Sequence, residues 1–227
     1  MRAKYLLFVL CFSTSLFSDY KFETVLSGLD DAWSLEFLSE DEIIYTEMPG
    51  KLKIANLIDG SITQIKNVPK VQYSSQGGLS EVLLDPSFAS NNIIYLSYSA
   101  RNSDGKSTLY LMSAVLNKDS LEKKKVIFEA KAPRRVPVHL GAKIAFLNDG
   151  TILLASGDGF DHREKAQTLD NHFGKIIRIN KDGTIPSDNP FVNVENALPD
   201  IYSYGHRNQQ GLIVTKTGEI YEHEHGP

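Results

Sequence analysis

The stretch Lys143-Ile144-Ala145-Phe146-Leu147-Asn148-Asp149-Gly150-Thr151-Ile152-Leu153-Leu154-Ala155 reads as two apolar strands joined by a tight turn. Asp149-Gly150 marks the turn, because glycine accepts the positive φ that a short hairpin connection demands. Just ahead of the first strand stands His139-Leu140-Gly141. Three other stretches share this plan. Trp33-Ser34-Leu35-Glu36-Phe37 turns through Ser39-Glu40-Asp41-Glu42 and returns as Ile43-Ile44-Tyr45-Thr46. Gln76-Gly77-Gly78 opens the strand Leu79–Leu84, which turns over Asp85-Pro86 to Asn91-Asn92 and returns as Ile93–Tyr98. His206-Arg207-Asn208 opens Gly211–Val214, which returns across Thr217-Gly218 as Glu219-Ile220-Tyr221.

The return strands centre on Ile44, Ile94, Ile152 and Ile220, spaced 50, 58 and 68 residues apart. A repeated hairpin at a period somewhat above about 40 residues, with insertions between copies, is the pattern of a β-propeller whose blades hold about four strands. Lys51–Ala55, Ser107–Met112 and Lys175–Ile179 supply strands between the hairpins. Beyond the N-terminal leader no long stretch shows strong helical periodicity. A β-sandwich is the competing fold, since short strands with regular turns suit it too. The expected class is all-β, a propeller with about four blades present.

Composition narrows the functional classes. With 227 residues and 41% hydrophobic content, the chain can bury a sizeable core and carries no disorder signature. Its net charge of −4 invites no nucleic acid. The single cysteine, Cys11, lies in the leader, which leaves residues 19–227 without a disulfide, a thiol nucleophile or a thiolate metal site. Residues 1–18 read as a secretory signal peptide: Arg2 and Lys4, an apolar run from Tyr5 to Phe12 too short to span a bilayer, then a Ser/Thr-rich stretch ending at Ser18. A buried N-terminal strand is the alternative. Cleavage would shift the net charge to −6 and release the protein into the periplasm, with no stable membrane insertion.

In an antiparallel hairpin, the start of the first strand and the end of the second lie at the same end. Gln76, His139 and Arg207-Asn208 therefore share one face with Glu47, Asp158 and Glu224-His225-Gly226-Pro227. If the first strands line the ring axis, these groups converge at a channel mouth, a natural small-molecule site. A neutral His139 there could serve as general base, although a lone histidine is more commonly just a hydrogen-bonded surface group. Arg207 offers a fixed cation and a fork of donors, against the plainer role of a surface ion pair. Gln76 could orient a planar polar ligand, with Gly77 and Gly78 allowing close backbone approach or merely forming a turn. Trp33 reads as packing. His223-Glu224-His225 resembles a metal cluster superficially, but no cysteine or third partner is evident, which argues against zinc.

Seven segments together carry a family resemblance. They are Gly28-Leu29-Asp30-Asp31-Ala32-Trp33, Gln76-Gly77-Gly78-Leu79 with Asp85-Pro86-Ser87-Phe88, His139-Leu140-Gly141, Gly174-Lys175-Ile176-Ile177-Arg178-Ile179-Asn180, Asp188-Asn189-Pro190-Phe191, Tyr204-Gly205-His206-Arg207-Asn208 and Glu224-His225-Gly226-Pro227. In this order, from about residue 22 to the last, they resemble the soluble quinoprotein sugar dehydrogenases of the glucose/sorbosone dehydrogenase family. The resemblance implies a six-bladed propeller that binds pyrroloquinoline quinone and calcium and oxidises an aldose at its anomeric hydroxyl to the lactone, passing electrons to an external acceptor. It implies that His139 is the general base and that Gln76, Arg207 and Asn208 contact the cofactor, with Arg207 stabilising the reduced quinone. It also implies that the backbone carbonyls of Gly226 and Pro227 hold the calcium.

The sequence departs from the family in places. Lys143 stands where arginine is common, Gln209 replaces a proline, and Gly159-Phe160-Asp161-His162 is idiosyncratic. The chain ends at Pro227, inside a motif that the family continues, so the expectation is a C-terminally truncated propeller over residues 19–227, inactive alone. Two other classes stay open: a non-catalytic propeller that binds a partner, and a calcium-dependent sugar-lactone hydrolase.

Overall fold

The computed structural model describes residues 20–226. The leader, Cys11 and Pro227 lie outside the described residues. Three four-stranded antiparallel meanders and one hairpin follow one another along the chain. The first sheet comprises β1 (Ala32–Phe37), β2 (Glu42–Glu47), β3 (Lys51–Asn56) and β4 (Ile62–Gln64). The second comprises β5 (Leu79–Leu84), β6 (Ile93–Arg101), β7 (Ser107–Asn117) and β8 (Ser120–Glu129). The third holds β9 (Gly141–Phe146), β10 (Ile152–Ser156), β11 (Lys175–Ile179) and β12 (Ile201–Tyr204), and the hairpin pairs β13 (Gln209–Val214) with β14 (Ile220–Glu224). The only helical turns among the described residues are α1 (Phe88–Asn91) and a 3₁₀ turn at Arg163–Gln167.

All four hairpins expected from the sequence are present, each pairing through the return strand named above. Gly150 takes a φ of 84°, as the Asp-Gly turn requires. The strands are rich in β-branched residues, which fit a pleated surface packed on its faces. Because every inner sheet is covered on both sides, alternation gives way to continuous burial: all five residues of β10 and of β11 are buried.

Apolar cores fill the spaces between successive sheets. Ile44 and Leu52 of the first sheet pack with Val82, Ile94, Leu96 and Met112 of the second. Tyr95, Leu109 and Leu111 meet Ile144, Ile152, Leu154 and Ile177 of the third. Leu153, Ala155 and Ile176 then meet Leu212 of the hairpin. Face-to-face stacking of consecutive meanders, with β1, β5, β9 and β13 adjacent to one another in order, is the propeller arrangement. The first strands are innermost, so their entry loops meet at one end. The outer strands β4, β8 and β12 carry weak sequence signals. In β8, Glu122 to Val126 face solvent, and three consecutive lysines there serve the surface and not the core.

Candidate functional site

The entry loops surround a cavity of about 420 Å³ lined by Trp33, Gln76, His139, Arg207, Asn208 and Gly226, among others. This is within the range of small-molecule sites. Three of the four openings supply a polar side chain to it, and Trp33 of the fourth lines it as a wall.

His139 sits in the left-handed backbone region at φ 45°, a strained conformation for a non-glycine residue. Its N–H donates to Gln76 Oε1 at 2.8 Å, and its carbonyl accepts from Gly159 N–H at 3.3 Å. The imidazole Nδ1 lies 2.8 Å from Asp158 Oδ1. The same carboxylate oxygen accepts the Phe160 N–H at 2.8 Å. An ionised carboxylate can only accept, so Nδ1 carries a proton, and in the neutral ring the lone pair is on Nε2. The Phe160 ring stands at 87° to the imidazole, centroids 5.2 Å apart. Held by a buried acid and braced by an aromatic ring, His139 presents a fixed proton acceptor.

Glycine makes this packing possible at two points. A Cβ on Gly157 would lie 2.2 Å from the His139 carbonyl oxygen, and one on Gly78 would lie 2.2 Å from the Met48 carbonyl oxygen. Both contacts are backbone to backbone, where no side-chain rotation can relieve them.

Arg207 is tied into the same assembly. Its carbonyl accepts the Asp158 N–H at 2.7 Å, its N–H donates to Glu224 Oε2, and its Nη1 donates to the carbonyls of His225 at 3.0 Å and Gly226 at 2.7 Å. Asn208 Oδ1 accepts from Gly141 N–H at 3.2 Å and Gln210 Nε2 at 3.1 Å. Gln76 and Asn208 thus spend their oxygens on the protein. Among the described residues their amide nitrogens have no partner, and neither do Nε and Nη2 of Arg207. The free groups of Gln76, Asn208 and Arg207 beside His139 are donors, and no carboxylate among the described residues lines the cavity.

The loop after Asp158 is anchored by Lys175. Its fully buried side chain donates to the carbonyls of Lys165, Ala166 and Phe173 at 3.0, 3.1 and 2.5 Å. Burial pushes its pKa down to about 8, while the three carbonyls favour the ammonium form. Lys175→Met leaves those acceptors unpaired and is expected to cost about 2–4 kcal/mol. Thermal melting should fall by roughly 5–15 °C. An unchanged midpoint would show the anchor to be dispensable.

The sequence profile described as Glucose / Sorbosone dehydrogenase matches residues 29–227. The chain belongs to this family. Among relatives, the aldose sugar dehydrogenase YliI of Escherichia coli is 32% identical over 96% of this chain and 61% of its own length. Quinoprotein glucose dehydrogenase B of Acinetobacter calcoaceticus is 28% identical over 90% of this chain and 48% of its own. The PQQ-bound aldose sugar dehydrogenase of Streptomyces coelicolor superposes with a TM-score of 0.77 at 26% identity, covering 90% of this chain and 59% of that one. The chain spans 48% to 61% of the length of the curated relatives it matches.

Against this family background, Gln76, His139, Arg207, Asn208 and Gly226 come together as the sequence suggested. Glu47 does not join them. Its buried carboxylate accepts from Asp30 N–H and from Lys53 Nζ at 3.1 and 2.8 Å, which turns it into the first sheet. His223 packs under Gly211, where a Cβ would lie 2.3 Å from its ring, and His225 is exposed. The group that does assemble is His206, Glu222 and Glu224, with His206 Nδ1 3.4 Å from Glu222 Oε1. Lys143, at the departure from the family pattern, pairs with Glu81. Sequence reasoning missed Asp158 as the partner of His139 and missed Arg134 altogether. Asp158 lies 19 positions from His139 across a hairpin, so only the position of its strand end could have pointed to it.

Proposed function

We propose that this protein, at the length of its relatives, oxidises an aldose at the anomeric hydroxyl to the lactone, with pyrroloquinoline quinone as bound oxidant and an external acceptor taking the electrons on. The observation that carries the proposal is the His139–Asp158 pair, beside a cavity into which Gln76, Asn208 and Arg207 bring unpaired donors. A planar, anionic, acceptor-rich quinone fits those donors. Gln76 and Asn208 offer amide N–H groups, and Arg207 adds a fixed cation with unpaired N–H groups. When bound, the quinone supplies the two-electron acceptor for the hydrogen on the anomeric carbon.

The chain's own residues supply the rest. Asp158 holds His139 Nδ1–H, which fixes the tautomer in which Nε2 is the proton acceptor and keeps that atom aimed at the cavity. Nε2 takes the proton of the anomeric hydroxyl, and Asp158 stabilises the imidazolium that results. Gln76 locks the His139 backbone, so the base does not drift as it gains charge. Trp33 and Leu140 add apolar wall to the cavity.

Calcium is a different case. It takes six to eight oxygen ligands, yet among the described residues its expected carbonyl, that of Gly226, accepts from Arg207. A cation there would compete with the guanidinium, and no carboxylate among the described residues lines the cavity to help. Quinone binding by this 227-residue chain should therefore change by less than about twofold when EDTA is added. Loss of binding on chelation would overturn that expectation.

The activity itself is tested by aldose-dependent dye reduction with added quinone, measured on the protein carried to the relatives' length. No dye reduction above a quinone-free control would sink the proposal. A partner-binding propeller has no need of an oriented base, and the His139–Asp158 bond counts against it. A lactone hydrolase would hold its metal through channel carboxylates, which the cavity lining among the described residues does not offer. We also propose export to the periplasm, on the strength of residues 1–18. Cell fractionation with N-terminal sequencing tests this, and a protein that keeps Met1 and stays out of the periplasmic fraction would refute it.

A further inference from the structure

Arg134 is the largest fully buried side chain among the described residues, at 1% exposure. No carboxylate stands within ion-pair distance of it there. Its guanidinium instead donates only to carbonyls: Nη1 to Ala132 at 2.9 Å, and Nη2 to His139 at 3.3 Å and Gly157 at 2.7 Å. The group lies over the Phe173 ring, with Cζ 5.2 Å from the centroid, and Nε is buried without a partner. Burial pushes its pKa down to about 10, opposed only by the charge of Asp158.

A buried guanidinium without an ion pair is an expensive way to fill space, and an apolar side chain of similar volume would pack there without that cost. The three carbonyls show what it accomplishes. Two of them belong to His139 itself and to Gly157, the residue immediately before Asp158. One nitrogen thus joins the backbones that carry the two members of the pair. The clamp is needed because His139 occupies a strained φ of 45° and its carbonyl is pressed against Gly157.

We propose that Arg134 is a positioning residue for the His139–Asp158 pair, tying the carbonyl of His139 to that of Gly157 so that Nδ1 stays on Asp158 and Nε2 stays aimed at the cavity. The proposal rests on the dehydrogenase reading only for the purpose of that aim.

The test uses the imidazole nitrogen and proton resonances of the 15N-labelled chain, with His139→Gln assigning the signals. In the parent, His139 is expected to show a single tautomer with a slowly exchanging Nδ1–H. In Arg134→Met that proton should exchange about tenfold faster or more, and the two nitrogen shifts should converge. The signals of His206, His223 and His225 should stay in place, while those of His162, which shares the Phe173 ring with Arg134, should move. Should Arg134→Met lose cooperative melting, Arg134→Lys carries the test. It keeps the charge, but an ammonium lacks the fork that spans the carbonyls, so the same loss of the Nδ1–H signal is expected. Parent-like His139 resonances in either folded variant overturn the proposal and leave Arg134 as packing. Because no turnover is needed, failed dye reduction with an Arg134-sensitive His139 removes the dehydrogenase reading and keeps this inference.

Discussion

His139→Gln, made in the protein at its relatives' length and supplied with pyrroloquinoline quinone, should lower aldose-dependent dye reduction by about 10²–10⁴-fold. Quinone affinity should stay within about twofold, because the donors that face the cavity belong to Gln76, Asn208 and Arg207. Glutamine preserves much of the volume and can still donate to Asp158, but it has no group that accepts a proton near neutral pH. The effect should fall on kcat and kcat/KM together, since the lost interaction is made only as the hydroxyl proton departs. A variant that keeps more than about a tenth of the parent rate would place the base elsewhere.

Gly157→Ala is expected to be the most damaging single methyl group near the site. The added Cβ would lie 2.2 Å from the His139 carbonyl oxygen and 3.0 Å from that of Arg207. Both are backbone atoms, so the strands must separate or His139 must leave its bond to Gln76. Overpacking of this kind costs about 3 kcal/mol, which lowers the melting midpoint by roughly 6–12 °C for a chain of this size. The substitution should also remove the slowly exchanging Nδ1–H of His139. Gly105→Ala is the comparison: its surroundings are open and only a φ of 73° is at stake, so about 1 kcal/mol is expected. Equal melting of the two variants would show that the close approach is relieved without consequence.

Much of the architecture was legible along the chain, and its gaps have a common physical cause. The four hairpins follow from alternation and from turns such as Asn148-Asp149-Gly150. Strand β8 was not legible, because Lys123, Lys124 and Lys125 sit on an outer strand whose side chains answer to water and not to a core. The His223-Glu224-His225 run suggested a metal cluster by adjacency alone. In the fold, His206 approaches Glu222 and Glu224 instead, because the β13–β14 hairpin brings the entry loop back over alternate residues of its own return strand. Glu47 shares an end of the ring with the site but turns inward to Lys53, a choice made by side-chain rotamer and local charge.

Strand pattern and turn chemistry pointed to a propeller over a sandwich, ordered motifs carried the resemblance to the glucose/sorbosone dehydrogenase family, and hairpin geometry led to the expectation that His139, Arg207, Asn208 and Gln76 share one end. These are properties of neighbours in the chain and of motif order, so a linear reading reaches them. Which carboxylate holds the imidazole, which amide oxygen holds its backbone and which guanidinium lies beneath it were decided only in three dimensions. The bonds concerned join residues 19, 63 and 5 positions apart. They form because successive sheets stack and press the entry loops together, and no local periodicity records which side chains will meet there.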